Sequence, residues 1–106
     1  MRGIVIEFLS FKGCPHAPIL RKRLDEALHA IGVTATPLAI DLHMLRQAND
    51  LRSGFGSPTI LLGGLDLFNM ATPSHAQDPA CRLYRPSRPT TAELIEKLRE
   101  GISDSQ

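Results

Sequence analysis

At 106 residues with a net charge of +1, the chain has the length of one domain and no electrostatic case for binding nucleic acid. Aromatic residues make up 5% and tryptophan is absent, which argues against a base-stacking surface. An apolar content of 42% suits an ordinary soluble core, and two cysteines in such a chain are expected as reduced cytoplasmic thiols.

The first apolar run, Ile4 to Leu9, is rich in β-branched and aromatic residues and predicts a buried strand. It is short, is broken by Glu7 and lacks a small-residue cleavage site, so it reads neither as a signal peptide nor as a membrane span. Phe11-Lys12-Gly13-Cys14-Pro15-His16-Ala17-Pro18 then forms the turn into a helix over Ile19 to Ile31, with Leu20, Leu24, Leu28 and Ile31 on one face. A cysteine between strand and helix sits where free backbone N–H groups favour the thiolate, and His16 beside it suits thiolate stabilisation or proton carriage. Pro18 either delays the helix start or kinks its first turn, and a late start weakens the helix's influence on Cys14. Gly32 supplies the helix stop.

Thr36 to Leu42 predicts a second strand, placed at a sheet edge by Pro37, and the βαβ unit so formed implies parallel pairing. Met44, Leu45, Ala48 and Leu51 give a short second helix, which ends in the glycine-containing loop Arg52 to Gly56. Thr59 to Leu62 is a strand entered through Ser57-Pro58; Gly63-Gly64 turns it into an antiparallel return over Leu65 to Phe68. A long connection, residues 69–89, carries Cys81-Arg82-Leu83-Tyr84. Thr90 and Glu93 make a capping box for a last helix with Leu94, Ile95, Leu98 and Ile102 inward, and Ser103 to Gln106 reads as a frayed tail.

This order of elements, βαβα-ββ-α, together with Cys14-Pro15 at the first helix and Pro58 before the third strand, resembles the thioredoxin-like fold. The resemblance implies a single α/β domain over residues 1–106, with a four-stranded mixed sheet flanked by helices. It also implies that the Ser57-Pro58 bond is cis and packs beside Cys14. Gly13-Cys14-Pro15-His16, Gly54-Phe55-Gly56-Ser57-Pro58-Thr59 and Cys81-Arg82-Leu83-Tyr84 are similar to a group of small bacterial thioredoxin-like proteins, some grouped with alkylmercury lyases. The Cys-Pro-x opening resembles monothiol glutaredoxins, and Cys-Pro-His resembles the oxidising bacterial disulfide oxidase. Redox thioredoxins carry Cys-x-x-Cys, whereas Ala17 stands here at the second cysteine's place. A mixed disulfide on Cys14 therefore needs another thiol to resolve it. Cys81 is the internal candidate, because the long connection leaves from the sheet end where Cys14 lies.

The expected site is thus Cys14, His16, Pro58 and Cys81, with Cys14 and Cys81 as the two thiolates for a soft ion such as Hg(II). No cofactor is expected, and the partner is a thiol-containing protein or a small thiol such as glutathione. Cys14 is expected to be the more acidic thiol. The competing account of Cys81 is an apolar anchor, buried with Leu83. His29 and His75 read as solvated, and His43 as part of local capping by Asp41. Spacing for a structural zinc site is lacking. Arg82, Arg85 and Arg88 form a candidate anion patch, but the preferred reading is a solubilising loop face. The leading function is thiol–disulfide exchange or soft-metal capture; the alternative is a non-catalytic binding module with incidental cysteines.

Overall fold

A computed structural model describes residues 4–84 and 87–104. In chain order it contains β1 (Ile6–Ser10), α1 (Ala17–Ala30), β2 (Leu38–Asp41), α2 (Leu42–Gln47), a 3₁₀ turn (Leu51–Phe55), β3 (Thr59–Leu62), β4 (Leu65–Asp66) and α3 (Thr91–Asp104). The strands form one mixed sheet in the order β2-β1-β3-β4. β1 pairs in parallel with β2 and antiparallel with β3, and β3 pairs antiparallel with β4.

Alternation along β1 divides the core in two. Ile6 and Phe8 face one side, where they pack with Leu20, Leu24, Ala27 and Leu28 of α1, and with Leu94 and Leu98 of α3. Leu9 faces the other, against Leu42 and Leu45 of α2, Phe55 and Leu61. Each such side chain contributes about 1.5–3 kcal/mol by burial, so both faces of the sheet are held. Glu7, on the same face as Leu9, is met by Arg52 at 2.9 Å, and this ties the 3₁₀ turn to β1.

Helix α1 begins at Ala17, two residues before the expected Ile19, with Pro18 inside its first turn, and ends at Ala30. Its end is closed by Gly32 N–H donating to His29 C=O (3.1 Å) and Val33 N–H donating to Leu28 C=O (3.0 Å), the paired bonds of a Schellman motif. The hairpin Gly63-Gly64 has φ of 59° and 85°, the two positive angles a tight two-residue turn demands. Thr90 and Glu93 form the capping box: the Thr90 hydroxyl accepts from Glu93 N–H at 3.1 Å, and the Glu93 carboxylate accepts from Thr90 N–H at 3.0 Å.

Three expectations need correction. The second strand spans Leu38–Asp41: Thr36 and Pro37 lie before it, and it does not continue to Leu42, because the Asp41 carboxylate accepts from His43 N–H at 2.9 Å and starts α2 there. Helix α2 then buries Leu42 and Leu45, leaves Met44 exposed, and stops before Leu51, which belongs to the 3₁₀ turn. The tail is helical as far as Asp104; residues 105–106 lie outside the described residues.

Candidate functional site

Cys14 lies in the turn between β1 and α1, four residues beyond the end of the strand. Its N–H donates to Phe11 C=O at 3.2 Å and its C=O accepts from Ala17 N–H at 3.3 Å. The residue is 4% exposed, so the thiol is inside the molecule. His16, the residue before α1, makes no side-chain cap to the helix. Among the described residues neither cysteine sulfur has a hydrogen-bond partner, and the two thiols are free.

Cys81 is exposed. Leu83 is exposed as well, which removes the account of this segment as a buried apolar anchor. What fixes the segment is polar. Ser57 N–H donates to Ala80 C=O and Arg82 N–H donates to Ser57 C=O, both at 2.8 Å, so Cys81 forms a parallel bridge with Ser57. The Ser57-Pro58 peptide is cis, as the resemblance implies. Register places these residues at one end of the sheet. Leu9 is opposite Thr59, so the chain leaving β1 towards Cys14 and the chain entering β3 through Ser57-Pro58 share that end. Gly56 permits the approach: its φ is +88°, and an added Cβ would lie 3.1 Å from Arg82 Cβ. Ser57 Oγ is the buried side-chain polar atom left without a partner among the described residues.

Arg82 anchors the same segment. Its guanidinium grips Asp66 in a two-pronged pair at 2.7 and 2.9 Å and donates to Thr59 Oγ1 at 3.1 Å. The Asp66 side chain is 0% exposed, and it also accepts from the N–H groups of Phe68 and Met70. Burial works against the Arg82 charge, but the bonds and attraction to Asp66, together with Tyr84, hold its pKa above the ordinary value. Arg82 therefore does not belong to a solubilising loop face. Its guanidinium also lies 4.5 Å from the centre of the Tyr84 ring. The Tyr84 hydroxyl donates to Pro58 C=O at 2.7 Å, and burial pushes its pKa up to about 12. Pro58 is thus held from the far side of the long connection.

The His16 ring is used by Arg88. Nδ1 lies 2.6 Å from an Arg88 terminal nitrogen. A guanidinium only donates, so Nδ1 accepts, and the neutral ring carries its proton on Nε2. Next to this pair is a cavity of about 370 Å³, whose lining includes His16, Arg23, Arg82, Tyr84, Arg88 and Thr90. Neither cysteine is among the described residues that line it. Arg85 lies outside the described residues. His29 and His43 are exposed, and His75 is exposed and bonded to its neighbours Ser74 and Gln77.

The structure therefore gathers Pro58 and Cys81 about Ser57, puts Cys14 at the same sheet end, and turns His16 towards Arg88. Sequence reasoning missed Asp66 and gave Arg82 the wrong setting. The signal available was an acid within the apolar return strand and an arginine beside the loop cysteine, but nothing local linked them. No group of three or more His, Cys, Asp or Glu positioned to hold a metal occurs among the described residues, nor is any helix there long and apolar enough to cross a membrane. Comparison with models of known protein families, with curated proteins and with solved structures finds no match for the chain.

Proposed function

We propose that the protein is a thioredoxin-like thiol protein whose two cysteines act together in thiol–disulfide exchange. The observation that carries the reading is the bridge of Cys81 to Ser57, next to cis-Pro58, at the sheet end where β1 runs on to Cys14. Exposure separates the two roles. The accessible Cys81 thiolate attacks a disulfide R–S–S–R and forms Cys81–S–S–R, releasing RS⁻. The sheltered Cys14 thiolate then attacks the Cys81 sulfur and expels the second RS⁻. The protein is left with a Cys14–Cys81 bond, oxidised by two electrons, while the partner is reduced to two thiols. The second step needs the two Cα atoms within about 7 Å of each other.

The experiment uses oxidised glutathione. Wild type is expected to release two glutathione molecules per chain and to yield an internal disulfide on mass mapping. Cys14→Ser is expected to release one and to retain the other on Cys81. Identical stoichiometry in the two proteins rejects the exchange mechanism. The same pair of thiolates suits a soft ion, and weaker Hg(II) binding by Cys81→Ser is the measure of that use. The burial of Cys14 favours a second reading, a binding module with incidental cysteines. On that reading no internal disulfide forms.

A further inference from the structure

Two arginines at the cavity beside His16 are held by neutral acceptors. Arg88, in the long connection before α3, donates to His16 Nδ1 at 2.6 Å. Arg23 donates to Pro89 C=O at 2.8 Å, from α1 itself. Neither has a carboxylate within ion-pair distance among the described residues. Arg82 differs, because its charge is matched by Asp66. The nearby acids are already engaged: Glu93 caps Thr90 N–H, and Glu26 accepts from the Thr91 hydroxyl. Each of the two guanidinia spends one N–H on a neutral partner, which fixes it, and retains other donors and its full charge. Orientation achieved in advance lowers the cost of binding an anion.

We propose that this cavity binds a small organic acid, with its carboxylate between Arg23 and Arg88. At about 370 Å³ the space lies within the usual range for small-molecule sites. Carboxylate geometry matches the planar guanidinium fork. The Tyr84 ring and Leu83 add apolar wall, which suits a short carbon chain better than a bare inorganic anion. Neither thiol lines the cavity, so succinate binding is read separately from disulfide exchange.

The test is titration of the whole protein with succinate, followed by amide chemical shifts, with inorganic phosphate in parallel. Saturable shifts centred on His16, Ser87, Arg88 and Thr90 are expected, and succinate should bind more tightly than phosphate. Arg23→Gln and Arg88→Gln remove the charge and the terminal donors but keep a polar side chain, and unchanged amide shifts away from the cavity verify that the fold is retained. Each is expected to weaken succinate at least tenfold, and Arg88→Lys, which keeps charge but loses the fork, to fall between. Unchanged affinity in both glutamine variants overturns the proposal. So does phosphate binding as tightly as succinate, or the absence of saturable shifts with succinate.

Discussion

Tyr84 shows how much one side chain can hold. Its hydroxyl bonds Pro58 C=O, its ring meets Phe68 edge-on with centroids 5.5 Å apart, and Arg82 stacks on it. Burial raises the phenol to about 12, above its usual 10.0. Between those values the unfolded chain loses the proton and the folded chain keeps it. The contribution of the neutral phenol is therefore complete below pH 10 and is lost as pH rises towards 12. Tyr84→Phe is expected to cost about 1 kcal/mol at pH 7 through the lost hydrogen bond. The gap between the two proteins should close by about 1 kcal/mol at pH 11, as read from urea midpoints. A constant gap from pH 7 to 11 contradicts the buried phenol. Such a role is not legible in the sequence, since Tyr84 in a Pro-rich connection resembles any loop aromatic. Asp66 is obscured for a related reason. The run Leu65 to Phe68 reads as a strand, and Leu67 is buried. β4 ends at Asp66, however, so Leu65 is 69% exposed while the acid is buried.

At the level of elements, the legible features are those with local causes. The capping box, the Gly63-Gly64 turn, the α1 stop and the strand Thr59–Leu62 follow from residues adjacent to each boundary. Boundaries failed where one residue could serve two elements. Asp41 closes β2 and caps α2, and periodicity cannot show which use comes first. β2 is an edge strand, as expected from Pro37, although Pro37 stands just before the strand and not on its ladder. Thr90→Ala tests the capping box directly. Losing the hydroxyl that accepts from Glu93 N–H is expected to cost about 1 kcal/mol. That lowers the thermal midpoint by roughly 4–8 °C for a domain near this size. If scanning calorimetry finds no change, α3 is secured by its packing through Leu94 and Leu98 alone.

For the whole molecule, the long connection poses a question of hierarchy. The sheet is held by two apolar clusters, one on each face, whereas residues 79–84 are held by the Ser57 bridge, the Asp66–Arg82 pair and the Tyr84 bond. Tyr84 also packs its ring against the first cluster, but opening the segment exposes far less apolar surface than unfolding the core, so such latches open separately from it. The amides of Ser57 and Arg82 should therefore form an island of protection, slower to exchange than Thr72 to Gln77 and faster than Leu9, Ile60 and Leu61. Arg82→Ala removes the guanidinium and leaves Asp66 buried without its partner. Breaking a buried pair in this way costs about 3–5 kcal/mol. The backbone N–H at position 82 survives the substitution, so its exchange reports on the latch itself. Its protection, and that of Ser57 N–H, is expected to fall at least a hundredfold. The β1 and β3 amides should exchange more slowly than the latch in both proteins. A uniform loss across the sheet and the connection would mean that the 79–84 segment is part of the core's cooperative unit. Segment opening would then require global unfolding, and Cys81 would have no local rearrangement with which to present its thiol to a partner.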